Sequence, residues 1–336
     1  MKSNYPLIIA EVGQAHEGSL GIAHSYIEAL AKTGVHAVKF QTHIAAAESS
    51  EFESFRVKFS YEDATRYDYW KRMEFTAEQW KGLKDHCEEV GLEFISSPFS
   101  NAAVDLLEEL GVTRYKIGSG EISNFLMLER IAQTAKPILL SSGMSSFEEL
   151  DRAIKFLSGF GNELAILQCT TAYPTQPEEW GLNVIGELRS RYHWPIGFSD
   201  HSGDIYACLA AAACGAQIFE FHVVFDKMMF GPDAKSSLTI RDIERLANGI
   251  SQIARSLGNP MDKSDNGRFT ELKEIFEKSL AVNKDLKAGH KISIDDLESK
   301  KPKGYGIDAQ NFKSVIDKVL VRDLEKGAFL NADDLE

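Results

Sequence analysis

Eight short β-rich runs recur every ~30 residues or so through the first 257 positions, at 7–13, 36–42, 93–99, 114–120, 137–143, 164–170, 195–200 and 218–225. Between them, segments such as 76–90, 102–110, 147–157 and 205–214 repeat apolar residues at helical spacing. Gly34, Gly91, Gly111 and Gly215 stand where helices should close, as a residue free to adopt positive φ does at a helix end. Strands that alternate with helices form parallel sheets, because each crossover helix returns the next strand in the same direction. An open doubly wound sheet shares this alternation but rarely needs eight units. The pattern therefore predicts a (β/α)8 TIM barrel over 1–257.

One stretch breaks the rhythm. Residues 44–75 separate the second run from its helix and are rich in Glu, Ser, Phe, Tyr and Trp. A long loop after a barrel strand opens on the catalytic face. The insertion reads either as a lid or as surface chain that packs Phe55, Phe59, Tyr61, Tyr69 and Trp70 locally. After Leu257 the polar, turn-rich phrase GNPMDKSDNGR begins a linker over 258–275. The tail, 276–336, contains two similar phrases at 284–297 and 322–335. Each sets D-L-x-x-G ahead of a short helix start, so the tail reads as a small, mostly β module with an internal pseudo-repeat.

Charge and composition exclude several classes. With 37 Lys+Arg against 50 Asp+Glu, the net charge is −13, and no Lys/Arg block offers a surface to nucleic acid or anionic membrane. No apolar run approaches the ~20 residues of a bilayer span, and the start of the chain lacks a signal-peptide pattern, so the expectation is a cytoplasmic protein. Cys87, Cys169, Cys208 and Cys214 form no C-x-x-C and read as reduced thiols. Cys169 could line a pocket, but no neighbouring His in sequence would activate it. An anionic substrate would have to draw on a few placed cations.

Barrel strands point side chains into the active site at their C-terminal ends. Those ends here carry Glu11; Lys39 and Gln41, two apart and so on one face; Ser97; Lys116, Ser119 and Glu121; Ser141; Cys169, with Tyr173 beyond; Ser199 and His201; and Glu220 and His222, with Asp233 beyond. Two inward lysines are costly unless an anion pairs with them. With the serine hydroxyls they form a cradle for phosphate or carboxylate; alternatively, they pair with Glu11 and Glu121 as an internal salt-bridge network. His201 and His222, on neighbouring strand ends, suit a divalent metal in a partly open site, which could polarise a carbonyl. His43, just past the second run, carries no assignment.

These residues sit in phrases that resemble the sialic acid synthase (N-acetylneuraminate synthase) family along the whole chain. They include A-E-V-G at 10–13, V-K-F-Q-T at 38–42, I-S-S-P-F at 95–99, Y-K-I-G-S-G-E at 115–121, L-S-S-G-M at 140–144, G-F-S-D-H at 197–201, G-P-D at 231–233 and K-K-P-K-G-Y-G-I at 300–307. The tail resembles the antifreeze-like SAF module that closes the chain in that family. The resemblance implies condensation of phosphoenolpyruvate with an open-chain N-acylated hexosamine, yielding a nine-carbon 2-keto acid and phosphate. It implies a divalent metal, Mn²⁺ foremost with Mg²⁺, Co²⁺ or Zn²⁺ as alternatives, held by His201 and His222. It places phosphoenolpyruvate against Lys39, Ser97, Lys116, Ser119, Ser141 and Ser199, and the acyl sugar against Gln41, Tyr173 and Asp233. Glu121, then Glu220 and Glu11, are its candidate catalytic carboxylates. A homodimer in which each tail caps the partner's barrel is implied as well.

Three positions depart from the family pattern: Ala15 in place of Asn, Ala234 in place of His after G-P-D, and Lys301 where an Arg usually precedes the tail proline. They point to a sugar other than N-acetylmannosamine, such as the diacetamido sugars that give legionaminic or pseudaminic acid. Two alternatives stay open. One is a 3-deoxy-octulosonate-phosphate-type synthase using a phosphorylated sugar, with Arg56, Lys58, Arg66, Lys71 and Arg72 of the insertion as candidate phosphate ligands. The other is a non-catalytic glycan-binding protein.

Overall fold

A computed structural model describes residues 6–336. The chain divides into two compact units, one running through Asn259 and the other Pro260–Glu336. In the first, eight strands follow in order: β1 Leu7–Gly13, β2 Ala37–Thr42, β3 Glu93–Pro98, β4 Tyr115–Ile117, β5 Ile138–Ser141, β6 Leu164–Cys169, β7 Ile196–Asp200 and β8 Ile218–Val224. Each pairs in parallel with the next, and β1 pairs with β8, which closes the barrel. A two-residue strand, β9 Leu238–Thr239, extends the sheet from the end of β8, an addition the sequence pattern did not mark.

The period of two along each strand separates the barrel interior into two levels. Ile9, Ala37, Ile95, Leu139, Ala165, Leu167 and Ile218 form an apolar plug inside the barrel. Two residues further along the same strands, on the same face, come Glu11, Lys39, Ser97, Ser141, Cys169 and Glu220. Gly197 makes room for that plug, since a Cβ there would lie 2.6 Å from the Ile218 carbonyl oxygen and 3.0 Å from Leu167. A larger apolar layer lies between strands and helices.

The helices carry their own start signals. Thr76 with Gln79, Ser146 with Glu149 and Thr239 with Asp242 form reciprocal capping boxes. Helix Ile240–Leu257 buries Ile243, Leu246, Ala247 and Ile250, the i, i+3, i+4, i+7 stripe of a core-facing helix. Among the described residues, no helix is long and apolar enough to cross a membrane.

The insertion after β2 folds into helices Ala45–Glu48 and Arg66–Met73. Ala45, Tyr69, Trp70 and Met73 form its core, with Phe55, Phe59 and Tyr67 packed against it. Tyr61, expected in that cluster, is instead 95 % exposed. His43 ties the insertion to the barrel, since it stacks between Trp70 and Phe99 and bonds Glu48 at 2.6 Å.

The first loop holds a buried histidine with a stability consequence. His16 packs on Phe75, and its Nδ1 accepts the Gly18 N–H at 3.0 Å. Burial, then the charges of His43 and Arg72, depress its pKa from 6.5 to about 3. Because the folded state refuses a proton that the unfolded state takes, this contribution is complete above pH 6.5 and is lost as pH falls towards 3. The loss should approach about 5 kcal/mol at the acid end. Chemical denaturation at pH 7.5 and 4.5 should show a smaller pH difference in His16→Asn, which keeps an acceptor but cannot titrate. An unchanged difference would rule out His16 as the cause.

In the second unit, β10 Ser279–Val282 pairs antiparallel with β11 Leu297–Lys300, over a core of Leu280, Val282, Leu286, Ile292, Val315, Leu320, Leu324 and Leu330. Part of the expected linker is ordered as the short helix Thr270–Phe276. The two D-L-x-x-G phrases pair with each other: Leu286 and Leu324 exchange both backbone hydrogen bonds, at 2.8 and 2.9 Å. Asp285 accepts from the Lys326 N–H, and Asp323 reciprocally from the Ala288 N–H. The sequence repeat is thus a structural one.

Candidate active site

The polar level of the barrel lines a cavity at the C-terminal ends of the strands. Its walls include Glu11, Lys39, Gln41, Ser97, Lys116, Ser119, Ser141, Tyr173, Ser199, His201, Glu220, His222 and Asp233. Register explains the convergence, because Glu11 stands opposite both Lys39 and His222, Gln41 opposite Ser97, and Ser199 opposite Glu220.

At the floor the two lysines are buried and paired. Lys39 Nζ donates to Glu11 at 2.5 Å and to Ser97 Oγ at 3.2 Å, and lies 3.7 Å from Glu220. Lys116 Nζ donates to Glu220 Oε1 at 2.7 Å, and Ser199 donates to the same oxygen. Burial opposes the Glu11 charge, but Lys39, His222 and Lys116 outweigh it and hold the carboxyl far below the usual range. Burial likewise opposes the Lys116 charge, yet Glu220 and Glu11 hold its pKa above the ordinary value. The salt-bridge network considered from the sequence is real, with Glu220 rather than Glu121 as the second carboxylate. It is also incomplete. Ser141 Oγ and Glu220 Oε2 are buried with no hydrogen-bond partner among the described residues, a costly state for polar atoms unless something else meets them.

Gly143 brings more hydroxyls to this place. A Cβ at that position would lie 2.5 Å from Ser119 Oγ and 2.6 Å from Thr171 Oγ1. Glu121 stands just past the lining segment 118–120, on the 3-10 turn Ser119–Glu121. Its carboxylate accepts from Asn124 Nδ2 at 2.8 Å, and burial raises its pKa. Lys301 belongs to the second unit, where its ammonium lies 4.8 Å over the Phe276 ring.

His201 and His222 face each other with ring centroids 5.4 Å apart, and Tyr173 lies 4.2 Å from the His201 ring. His201 Nδ1 bonds the Thr170 carbonyl at 3.0 Å, which leaves Nε2 for another partner. Against the effect of burial, Cys169 and the Thr170 carbonyl stabilise its protonated form up to about 9, so a cation taken at Nε2 would displace a proton. Burial lowers the pKa of His222, against the opposing charge of Glu11 3.4 Å away. Among the described residues no three or more His, Cys, Asp or Glu side chains form a ready cage. The arrangement fits an open site in which two imidazoles hold a divalent ion and substrate or water completes the shell.

Several lining residues carried no signal in the sequence. Gln14 donates to both Gln41 and His43, and Gln41 donates to Glu11 at 2.7 Å, so the amide of Gln41 is held from both sides. The fold also supplies what Cys169 lacked in sequence, since its sulfur lies 3.9 Å from His201 Nδ1. Arg56, Arg66 and Trp70 reach the cavity from the insertion, which both packs on itself and builds a wall. Ala15 and Ala234 line one small pocket beside His222 and Asp233, so two of the three departures meet in space.

A closed parallel barrel with paired lysines, hydroxyls and two neighbouring imidazoles at the C-terminal ends of its strands has the form of an enzyme site. The NeuB family profile matches residues 26–262, and the SAF domain profile matches 277–336. The N,N'-diacetyllegionaminic acid synthase of Campylobacter jejuni is 33 % identical over 326 residues, covering 95 % of this chain and 97 % of that protein. The N-acetylneuraminate-9-phosphate synthase of Homo sapiens is 33 % identical, covering 89 % and 84 %. The crystal structure of the sialic acid synthetase of Leptospira borgpetersenii, in complex with citrate, superposes with a TM-score of 0.72 at 29 % identity, covering 81 % of this chain and 92 % of that one. The chain belongs to the NeuB family of synthases.

Proposed function

We propose that this chain is a transferase that condenses phosphoenolpyruvate with the open-chain aldehyde of an N-acylated hexosamine, N-acetylmannosamine or a diacetamido relative, to give a nine-carbon 2-keto sugar acid and phosphate. The observation that carries this reading is the floor of the cavity. Two buried ammonium groups and a set of serine hydroxyls, of which Ser141 Oγ has no partner among the described residues, suit an anion with several oxygens. The relatives named as legionaminic and N-acetylneuraminate-9-phosphate synthases support the product class.

Lys39 and Lys116, with Ser97, Ser119, Ser141 and Ser199, hold the phosphate and carboxylate of phosphoenolpyruvate and fix its C3 towards the aldehyde. His201 and His222 would hold a divalent ion, most simply Mn²⁺, which polarises the aldehyde oxygen. The C2–C3 double bond of phosphoenolpyruvate breaks as C3 joins the aldehyde carbon, the aldehyde oxygen takes a proton from solvent, and C2 is left electron-deficient. Water adds to C2, and Glu220 Oε2, which has no partner of its own, accepts its proton. The tetrahedral product then breaks its C–O bond to phosphate, and the C2 hydroxyl passes its proton to the departing phosphate as the ketone forms. Gln41, Tyr173 and Asp233, together with the cavity wall, orient the sugar and keep water away. Glu11 balances Lys39 and orients Gln41, and Glu121 shapes the turn that carries Ser119.

The test is phosphate release from phosphoenolpyruvate with Mn²⁺ and a panel of N-acylated hexoses. Release with at least one acylamino sugar is expected, and none with any sugar would sink the proposal. The same assay addresses a homodimer in which each tail caps the partner's barrel: full activity in a chain ending at Leu257 would remove that role for the tail and Lys301.

A further inference from the structure

The insertion brings cations to the barrel mouth, and the fold uses them differently. Arg72 is bound by Glu17 and Asp63 at 2.9 and 2.8 Å, and Lys71 by Glu74 at 2.7 Å, both away from the cavity lining. Arg66 lines the cavity but lies over Trp70 and beside Glu53. Arg56 is placed otherwise. It reaches across 177 positions to Asp233, donating Nη2–H to Oδ1 at 2.9 Å, and lies 4.1 Å over the Tyr173 ring. Its side chain is 47 % exposed, so the pair adds little to stability. The remaining guanidinium N–H groups make no other hydrogen bond to a described residue, and Arg56 is one of the residues that line the cavity.

We propose that Arg56 is an acceptor-specificity residue that reads an uncharged acylamino sugar. This rests on the reading above, in which Tyr173 and Asp233 orient the acceptor. A guanidinium beside a carboxylate offers donors and an acceptor side by side, the pattern of an amide carbonyl next to a hydroxyl. A phosphorylated sugar would bring its charge against Asp233. Arg66 is already engaged by Glu53, and the other lysines and arginines among the lining residues, Lys39 and Lys116, lie at the floor. Stacking on Tyr173 fixes the plane of the guanidinium, which an ammonium cannot reproduce.

The experiment is initial-rate phosphate release by the full chain, wild type, Arg56→Lys and Arg56→Ala. The acceptor is varied at saturating phosphoenolpyruvate, then the reverse. The acceptor KM should rise about tenfold or more in both variants, the loss of one charge-assisted contact, while the phosphoenolpyruvate KM stays within about twofold. Wild type should prefer the unphosphorylated sugar to the same sugar phosphorylated on its terminal hydroxyl. An unchanged acceptor KM in Arg56→Ala, full rescue by Lys, a parallel rise in both KM values, or preference for the phosphorylated sugar would each overturn the inference. If wild type releases phosphate with no acceptor, the proposed function itself fails and takes this inference with it.

Discussion

His222→Ala should lower phosphate release from phosphoenolpyruvate and an acylamino hexose by about 10³-fold or more, the scale of losing the main electrostatic group at a reacting oxygen. The ring lies among Glu11, His201 and Tyr173, and its removal leaves His201 without the facing imidazole. Chelation of divalent ions should cut wild-type release to a similar level and leave the variant unchanged. Folding should survive, because the ring ends in the cavity and the strand around it is held by β1 and β7. Wild-type turnover that persists in chelated buffer would remove the metal from the proposal, and normal turnover by the variant would remove His222.

Lys116→Met should cost stability as well as activity. The substitution keeps the apolar stem but leaves the buried Glu220 carboxylate with Ser199 and with Lys39 at 3.7 Å. Breaking one side of a buried pair costs about 3–5 kcal/mol, and the lower end applies here because Lys39 remains. Adding Glu220→Gln should recover part of that stability in denaturant unfolding, while phosphoenolpyruvate affinity by isothermal titration stays lost in both variants. A single variant with wild-type stability and wild-type affinity would contradict both the ion pair and the cradle.

Much of the cavity follows from parity along the chain. Lys39 and Gln41, or Glu220 and His222, are two residues apart on strands that must be buried, so each pair faces the barrel axis. Partner choice did not follow in the same way. Lys116 takes Glu220, four strands away around the barrel, whereas Glu121, its near neighbour in sequence, turns to Asn124. Glu121 lies past β4 on the 3-10 turn Ser119–Glu121, where its carboxylate accepts from Asn124.

The insertion shows the same division. Its aromatic content announces a small cluster, and Tyr69 and Trp70 do form one. Nothing in the order of residues says that Arg56 will meet Asp233, or that His43 will lie between Trp70 and Phe99 beside Gln41.

Period and punctuation along the chain were enough to indicate the barrel, the tail with its pseudo-repeat, and the strand-end residues that face inward. Each of those depends on short-range geometry: alternation along a strand, a capping residue, or a glycine at positive φ. The pairing of Lys39 and Lys116 with particular carboxylates, the facing of two imidazoles and the reach of Arg56 depend on barrel closure, strand register and the path of a long loop. Those are long-range terms, set by which surfaces bury together, and no local stretch of sequence encodes them.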